Sequence, residues 1–512
     1  MRRQAIAITL LSFLTVGIFG QYSEKYRPQI HFSPPANWMN DPNGMVYHNC
    51  EYHLFYQYYP NDTVWGPMHW GHAVSRDLVR WKNLPIALEP DKLGYIFSGS
   101  AVADKNNSAG FKNSSNTPLI AMFTYHDPEG DKAGRTDYQY QAIAVSRDDG
   151  RTWSKFDKNP VIPNPEKLRD FRDPKVFWHE PAKRWIVSLA VGDHIRFYES
   201  ADMKTWTLAG RFGGEGVGAQ TGVWECPDLF PLKVEGTNET KWVLLVSINP
   251  GAPMGGSATQ YFVGSFDGKT FRSDDPPDRI RWLDHGRDNY AGVTWGNVPN
   301  GRRIFLGWMS NWEYAQKVPT APWRSAMTLP RDLGLRKTSE GIGIVQKFSP
   351  ETAALRSAEF FNLKNKNADS KLPLGKAGEP MAEITVEIDL TKSSAGEFGI
   401  EAANAKGEKM VVGFEAAGKR FFTDRISAGD SSFSKDFIKG RHYAPRINTD
   451  STVKLHVIFD AASVELIADD GTVAMTDTFF PSETLNDFSL VAAAGNARIV
   501  KARGWPLRSI WK

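Results

Sequence analysis

Ser75-Arg76-Asp77-Leu78-Val79-Arg80-Trp81 is a polar turn between two β-type runs, and it recurs along the chain. Similar segments stand at Ser146–Trp153, Ser200–Trp206 and Ser265–Phe271, each with a Ser, an Asp and a closing aromatic. Each copy predicts a hairpin in which one strand ends at Ser and the next begins at the aromatic. The copies lie roughly 55 to 70 residues apart, which matches a four-stranded blade with insertions. The repeat favours a β-propeller over a set of unrelated hairpins.

The rest of the chain also predicts an all-β fold. From about residue 26 to 335, short β-type runs alternate with Gly, Pro, Asn and Asp, and no convincing amphipathic helix is present. Between about 336 and 378 the sequence becomes polar and low in aromatics, and alternating strands resume at Met381–Leu390. We predict a propeller over 26–335, a linker over 336–358 and a β-sandwich over 359–512.

The first residues predict a signal peptide over 1–20. Arg2 and Arg3 precede a charge-free, mostly apolar run from Ala5 to Phe19, which is short for a membrane span. We therefore expect a secreted or periplasmic protein that leaves the membrane once the signal is removed; an uncleaved anchor is the alternative. The sequence does not predict an oligomeric state.

Composition excludes some classes of function. The net charge is +3 over 512 residues, without a long basic run, so nucleic-acid binding has no electrostatic support. The chain has two cysteines, Cys50 and Cys226, which allow one disulfide but no disulfide framework. His69 and His72 are too weak a pattern for a metal site, so we expect neither a metal nor a cofactor.

The first candidate catalytic residue is Asp41, in the segment Trp38-Met39-Asn40-Asp41-Pro42-Asn43-Gly44. Pro42 favours extended geometry at Asp41, and Asn43-Gly44 closes a tight turn. A rigidly held carboxylate beside apolar side chains suits a nucleophile. A structural aspartate that caps the turn is the alternative.

The second candidate is Asp173, in Phe171-Arg172-Asp173-Pro174. An ion pair with Arg172 would keep Asp173 ionised. An ionised carboxylate suits a group that binds sugar hydroxyls and stabilises positive charge, and it does not suit a proton donor. A surface ion pair is the alternative.

The third candidate is Glu225, which lies between Trp224 and Cys226 in an apolar segment. Poor solvation would keep its carboxyl protonated near neutral pH, as a general acid requires. Asp228 is the neighbouring competitor. Glycoside hydrolysis needs two carboxyl groups with opposite duties, and these segments supply them.

Taken together and in order, these segments resemble the β-fructosidase family of glycoside hydrolases, family 32, which includes invertases, levanases, exo-inulinases and fructan exohydrolases. The resemblance covers nearly the whole chain after the signal. Its further motifs are Phe55-Tyr56-Gln57, Phe97-Ser98-Gly99-Ser100, Glu225-Cys226-Pro227, Tyr290-Ala291, Gly307–Trp312, Pro322-Trp323-Arg324, Asp460–Leu466 and Phe479-Phe480-Pro481.

The resemblance implies a five-bladed β-propeller with the site at one end of its axis, followed by a C-terminal β-sandwich. It implies that Asp41 is the nucleophile, Glu225 the acid/base and Asp173 the transition-state stabiliser, with the Asp41 and Glu225 carboxyls roughly 5–5.5 Å apart as in retaining enzymes. The implied substrate-binding residues are Asn40, Gln57, Ser98 and Arg172 as hydrogen-bonding groups, Trp65 and Trp312 as aromatic walls, Phe97 beside them, and Tyr290 as a support for the carboxylates.

The predicted activity is exo-release of terminal fructose from levan or inulin, and also from sucrose. The segment Trp65–His72 is most similar to bacterial levanases and exo-inulinases. The alternatives are a fructosyltransferase on the same scaffold, an enzyme acting on arabinose-containing polymers, and a non-catalytic fructan-binding protein. The sequence leaves the choice between β-2,1 and β-2,6 linkages open.

Overall fold

The computed structural model describes residues 22–113 and 115–511, so the predicted signal peptide over 1–20 lies outside the described residues. The described residues form seven antiparallel or mixed sheets. Helix is limited to α1 (Pro128–Lys132) and to 3-10 turns at Pro299–Gly301, Pro350–Leu355, Leu390–Lys392 and Asp469–Gly471 in this part of the chain. The prediction of an all-β fold is confirmed.

Five sheets follow one another between residues 37 and 348. Their strands, in chain order, are β1 (Asn37–His48), β2 (Glu51–Tyr59), β3 (His69–Ser75) and β4 (Lys82–Leu88); β5 (Tyr95–Ala103), β6 (Leu119–His126), β7 (Gln139–Ser146) and β8 (Ser154–Lys155); β9 (Phe171–His179), β10 (Arg184–Val191), β11 (His194–Ser200) and β12 (Thr207–Gly213); β13 (Val223–Lys233), β14 (Thr240–Asn249), β15 (Ala258–Phe266) and β16 (Phe271–Ser273); and β17 (Tyr290–Thr294), β18 (Ile304–Met309), β19 (Trp323–Arg324), β20 (Ala326–Met327), β21 (Arg331–Thr338) and β22 (Gly341–Phe348).

The five sheets are the blades of a closed propeller. The first strand of each blade contacts the first strand of the next, from β1 through β5, β9, β13 and β17 and back to β1. Closure is strengthened by β19, which lies between β18 and β20 of the fifth blade in sequence but pairs in parallel with β1, with Asn37 opposite Trp323. The first strands therefore line the axis, and residues at their amino-terminal ends converge at one mouth.

The four polar repeats join the third and fourth strands of blades one to four, as the hairpin prediction requires. The shared aspartate explains the recurrence. Asp77 accepts hydrogen bonds from the backbone N–H groups of Val79 and Arg80 at 3.1 and 2.7 Å. Asp267 does the same for Lys269 and Thr270 at 2.9 and 2.7 Å. One carboxylate thus satisfies the donors of a tight turn in each of these four blades.

The C-terminal part is a sandwich of two six-stranded sheets. Its strands are β23 (Phe361–Ala368), β24 (Lys371–Lys376), β25 (Ala382–Asp389), β26 (Glu397–Ala403), β27 (Lys409–Glu415), β28 (Arg420–Asp424), β29 (His442–Pro445), β30 (Thr452–Asp460), β31 (Ser463–Ala468), β32 (Val473–Thr478), β33 (Asp487–Ala493) and β34 (Ala497–Pro506). One hydrophobic cluster fills the space between the sheets and includes Ile384, Phe398, Val412 and Leu466.

The stretch 336–358, where the sequence predicts a linker, contains regular structure. The end of β21 and all of β22 pair with each other in the fifth sheet, which extends past residue 335 to Phe348. The 3-10 turn Pro350–Leu355 follows at once. The polar composition of the stretch gave no sign of β22, in which four consecutive residues are buried although it is the last strand of its sheet.

A buried ionic group joins the two domains, and we call it the interface cluster: His31, Asp284, Arg331, Asp460 and Glu465. His31 lies 2.6 Å from Asp460 and 2.8 Å from Glu465. Arg331 contacts Glu465 and lies 2.9 Å from Asp284. Burial alone would lower the pKa of His31, but hydrogen bonds to Asp460 and Glu465 raise it to about 9. The cluster holds opposite charges in contact across the domain boundary.

Candidate active site

The amino-terminal ends of the first strands surround a cavity of about 370 Å³, here called the funnel. Ten of the eleven predicted site residues line this cavity. The eleventh, Tyr290, contacts Glu225 through its hydroxyl group. The ten that line the cavity are Asn40, Asp41, Gln57, Trp65, Phe97, Ser98, Arg172, Asp173, Glu225 and Trp312.

Each first strand is interrupted at its funnel residue. The register shifts in β1 beside Asp41, in β5 at Ser98, in the β9–β10 pair at Asp173, in β13 just after Glu225 and in β17 just after Tyr290. A bulge breaks the strict alternation of side chains and re-aims them toward the axis.

The backbone at these bulges is left-handed at three non-glycine residues. Asp173, Cys226 and Ala291 have φ values of 64°, 46° and 51°. Left-handed geometry is unfavourable for residues with a Cβ, and it persists only where the surrounding structure imposes it. The funnel therefore carries backbone strain that the rest of the propeller must hold in place.

Asp41 is held by neutral donors. The Asn40 amide donates to Oδ1 at 2.9 Å, and the Ser98 hydroxyl donates to Oδ2 at 2.8 Å. Burial raises the pKa of Asp41, and the nearby charge of Glu225 raises it further, while the two hydrogen bonds act in the opposite direction. Trp38 fixes Asn40 from behind, because its indole N–H donates to the Asn40 amide oxygen at 2.7 Å.

Asp173 is the most enclosed of the three acids, with 6 % of its side chain exposed. The backbone N–H of Cys226 donates to its Oδ2 at 3.0 Å. Burial raises the pKa of Asp173 to about 7, against the influence of Arg172 and together with the charges of Glu225 and Asp41.

The expected pairing of Arg172 with Asp173 is present only as a long contact, and the hydrogen bonds of the guanidinium go to other acids. The Arg172 Nε lies 4.0 Å from the Asp173 carboxylate, whereas its Nη2 and Nε donate to Glu225 Oε1 at 2.8 and 3.1 Å. Its Nη1 donates to Asp170 at 2.6 Å. Residues adjacent in a strand point in different directions, so sequence neighbours rarely form the ion pair.

Glu225 is more accessible than Asp173, with 19 % of its side chain exposed against 6 %. Its surroundings are more polar than the sequence suggests, because Arg172 holds Oε1 and the Tyr290 hydroxyl contacts Oε2. Trp224 does not face Glu225: it is fully buried between blades, and its indole N–H donates to the Ala219 carbonyl at 2.8 Å. The contacts from Arg172 and Tyr290 fix the positions of both carboxyl oxygens of Glu225.

Aromatic side chains and one amide form the walls. Trp65 is 37 % exposed, Trp312 stacks on Trp38 with ring centroids 5.8 Å apart, and Phe97 stacks on His126 at 4.4 Å. Gln57 is 2 % exposed, and its Nε2 has no hydrogen-bond acceptor among the residues described. A buried donor without a partner at the edge of a polar cavity is suited to a ligand oxygen.

Cys226 is buried beside the funnel, outside its lining, and sequence reasoning missed its place among the acids. Its thiol lies 3.7 Å from Asp41 Oδ2 and 3.6 Å from Asp173 Oδ2, so it sits between the two carboxylates. Burial raises the pKa of this thiol well above its usual range, and the neighbouring carboxylates add to the effect, so it stays protonated. Adjacency to Glu225 was the only available signal, and it indicated no more than a buried structural thiol.

Seven residues of the lining were also missed. They come from loops, strand ends and the short helix α1, none of which carries a motif: His126, Asp131, Tyr138, Gln139, Asp170, Asn249 and Gln316. Only Asp170, two residues before Arg172, had a signal in the sequence.

Neither a metal centre nor a membrane helix is found within residues 22–113 and 115–511. No group of three or more potential ligands in these ranges is arranged to hold a metal ion. His72 instead contacts His53 at 3.1 Å, and His69 contacts the Pro67 carbonyl at 2.9 Å. None of the helices in these ranges is long and apolar enough to cross a membrane.

Comparison with known proteins matches both parts of the chain to models of one family. Residues 31–347 match the glycosyl hydrolases family 32 N-terminal domain, and residues 351–506 match the family 32 C-terminal domain. The chain is 47 % identical over 495 residues to a levanase of Bacillus subtilis (strain 168), covering 96 % of this chain and 72 % of that protein. It is 38 % identical over 543 residues to the extracellular exo-inulinase of Aspergillus awamori, covering 99 % of each.

Solved structures show the same fold. The crystal structure of exo-inulinase from Aspergillus awamori superimposes with a TM-score of 0.89 at 36 % identity, over 96 % of this chain and all of that one (100 %). The β-fructofuranosidase of Schwanniomyces occidentalis, solved with fructosyl-erythritol, gives 0.86 at 33 % identity, over 96 % and 100 %. The five-bladed propeller followed by a β-sandwich is thereby confirmed. This chain belongs to glycosyl hydrolase family 32.

Proposed function

We propose that this chain is an exo-acting, retaining hydrolase that releases terminal β-fructose from fructans of the levan or inulin type and from sucrose. One observation carries the proposal: three carboxyl groups from three different blades converge in one cavity of about 370 Å³. Two carboxyls with opposite duties are what glycoside hydrolysis requires, and a third anion stabilises positive charge that develops on the sugar ring.

The environment of each acid supports a separate role. Asp41 is held rigidly by hydrogen bonds from Asn40 and Ser98, which suits attack on the fructosyl C2. Glu225 is partly exposed, so it can pass a proton to the departing oxygen and later take one from water. Asp173 lies deepest and has no proton to move in this scheme, so it hydrogen-bonds sugar hydroxyls and stabilises the transition state.

The reaction proceeds in two steps under this proposal. Asp41 forms an ester bond to C2 as the C2–O bond to the leaving group breaks, and Glu225 protonates the leaving oxygen. Glu225 then deprotonates a water molecule, whose oxygen attacks C2 and breaks the ester, so that fructose leaves with its anomeric configuration retained. Arg172 and Tyr290 keep the Glu225 carboxyl oriented through both steps.

Binding of the terminal ring is assigned to the remaining funnel residues. Gln57 and Arg172 offer donors to hydroxyl groups, while Trp65, Phe97 and Trp312 form apolar walls on which the faces of a ring can stack.

The names of the relatives support a fructan substrate. The similar proteins are a levanase and extracellular exo-inulinases. A related fructofuranosidase was solved in complex with fructose, and another relative with fructosyl-erythritol. We extend the extracellular location to this chain as well, with residues 1–20 as the signal that directs export.

A product profile on levan, inulin and sucrose tests the activity. Chromatography of early time points should show fructose alone from the polymers, because each cut removes one terminal ring. A ladder of short oligomers would instead show that the enzyme cuts within the polymer chain, which is endo-action. Products longer than the substrate at high sucrose concentration would indicate transfer to a sugar in place of water.

The anomeric configuration of the first product tests retention. Proton-coupled NMR within the first minutes should detect β-fructofuranose before mutarotation. Initial release of α-fructofuranose would show inversion and would exclude Asp41 as the nucleophile. The Asp41→Asn variant provides the inactive control.

A further inference from the structure

A second cavity, of about 320 Å³, lies at the opposite end of the propeller axis from the funnel. The strand positions establish the geometry. In β5 the funnel takes Phe97 and Ser98 near the amino-terminal end, whereas this cavity takes Val102 and Ala103 at the carboxyl end. We call it the rear cavity, and it shares no lining residue with the funnel.

Arg303 is the unusual member of the rear cavity. Its guanidinium lies over the Phe230 ring, 4.7 Å from the centroid, so an aromatic face holds it in place. Its Nε is buried and has no hydrogen-bond acceptor in the described parts of the chain. Burial lowers the pKa of Arg303, and the charge of Asp228 offsets this in part.

The neighbouring Arg302, in contrast, has hydrogen-bond acceptors for its guanidinium group. Arg302 makes two hydrogen bonds to Asp332, both at 2.8 Å, and two to Glu351 at 2.6 and 3.0 Å. Two adjacent arginines therefore differ completely: one is saturated by carboxylates, and the other faces a cavity.

Asp228 influences Arg303 by its charge but forms no salt bridge with it among the described residues, and its Oδ2 is already engaged. Its Oδ2 accepts hydrogen bonds from the Thr294 backbone and hydroxyl at 2.6 and 2.8 Å, and it lies 3.2 Å from the Lys175 ammonium. Lys175 and Asp228 are both buried and lie deeper along the axis. Together with Arg303 they leave this end of the axis with one positive charge in excess.

The rest of the rear cavity adds donors and aromatic surface. Lys105 and Asn106 are exposed at its edge, and among the described residues that line it none is acidic. The indole N–H groups of Trp178 and Trp185 are already used, by Glu180 at 2.6 Å and Ser108 at 2.7 Å, so both rings contribute only carbon surface.

We propose that the rear cavity is a binding site for a small oxyanion, such as phosphate, sulfate or an organic carboxylate, held by Arg303 and Lys105. A planar guanidinium donates two parallel hydrogen bonds to such a group. A neutral sugar fits less well, since sugar hydroxyls need acceptors as well as donors and the lining residues described here offer no carboxylate. The bound anion would complete the contacts that Arg303 lacks.

Isothermal titration of the full-length protein with inorganic phosphate, at constant ionic strength and pH 7, tests this site. We expect binding in the millimolar range, with one site per chain, and an affinity at least about tenfold weaker in Arg303→Gln, because the two charge-assisted hydrogen bonds are lost. Lys105→Ala, at an exposed position, should weaken binding about threefold by removing one nearby charge.

Controls separate the site from general salt effects. Arg76→Gln, at a side chain that is 81 % exposed, should bind phosphate as the parent does. Fructose release should be unchanged in Arg303→Gln and Lys105→Ala, because the rear cavity lies at the far end from the funnel. If Arg303→Gln fails to fold, Lys105→Ala decides the outcome.

Three results would overturn the proposal: no phosphate binding by the parent, equal binding by the parent and the tested variant, or stronger binding of fructose than of phosphate at the same site. A crystal soaked in sulfate gives an independent reading. Density beside the Arg303 guanidinium supports the site, and an empty rear cavity at saturating sulfate contradicts it.

Discussion

The funnel and the interface cluster both bury acidic side chains, but they differ in how much positive charge lies beside those side chains. In the funnel, Arg172 lies 2.8 Å from Glu225 and only 4.0 Å from Asp173, it is shared with Asp170, and Asp41 is held by neutral donors. In the interface cluster, Glu465 meets both His31 and Arg331, and every other acid meets at least one cation. The acids of the two regions are buried to a similar extent: Asp173 in the funnel is 6 % exposed, and Asp284 in the interface cluster is 2 % exposed.

The pKa shifts follow the counterions. Burial raises the pKa of Asp173 to about 7, because too little positive charge lies near it. Burial alone would also raise the pKa of Glu465, but Arg331 and His31 lower it below its usual range. The funnel keeps its carboxyls reactive at a cost in stability, whereas the interface cluster uses its carboxyls to hold two domains together.

The largest expected effect comes from Asp41→Asn, which removes the proposed nucleophile while preserving shape. We expect kcat on sucrose and on levan to fall by about 10⁴-fold or more, which matches the loss of a nucleophile elsewhere. The melting temperature should stay the same or rise, because a crowded buried carboxyl is replaced by an amide. Activity above about 1 % of the parent, after exclusion of deamidation by mass spectrometry, contradicts the assignment.

The same chemical change in the interface cluster should act on stability. In Glu465→Gln, His31 and Arg331 keep their charges in a buried site with a neutral partner, so the free energy of unfolding should fall by about 3–5 kcal/mol. Urea denaturation measures this, and kcat of the folded enzyme should be unchanged. Glu166→Gln, which breaks an exposed pair with Arg196, is the matched control. A fall no larger than in the control would remove the distinction between the two regions.

A pH dependence sharpens the comparison at Asp173. Its pKa is about 7 in the folded chain and lies near 3.8 when unshifted, so the parent loses stability as pH rises between these values. Asp173→Asn lacks this loss. The free energy of unfolding of Asp173→Asn, relative to that of the parent, should therefore rise by up to about 1.4 kcal/mol per pH unit from pH 4 to pH 7 and stay level above pH 7. An advantage that is constant across this range would show that Asp173 ionises normally.

His31 should give the smallest effect, with the opposite sign. Its pKa of about 9 in the folded chain exceeds the unshifted value of 6.5, so protonated His31 stabilises the fold fully below about pH 6.5, and this contribution is lost as pH rises through 9. The stability difference between the parent and His31→Gln should therefore shrink between pH 6 and pH 10. A difference that widens with pH would mean that His31 is buried in its neutral form.

Prediction from sequence succeeded where local chemistry repeats. The turn around Asp77 recurs because one carboxylate can satisfy a tight turn without help from elsewhere, so the spacing of the copies revealed the blades. Asp41, Asp173 and Glu225 stood out because each lies beside a proline or an unusual apolar neighbour, and their order matched a family. Cys226 and His126 carried no such signal, because their importance lies in what they touch.

The sequence by itself determined that this protein is all-β, that its blades repeat, and which three acids to examine. Only the tertiary structure decided that Arg172 hydrogen-bonds Glu225 and not Asp173, that a thiol lies between two carboxylates, and that Glu465 contacts residues more than 130 positions away. The physical reason is that turns and strands depend on neighbours along the chain. The ionisation of a buried acid depends on charges that folding brings near it, and spacing in the sequence does not specify those charges.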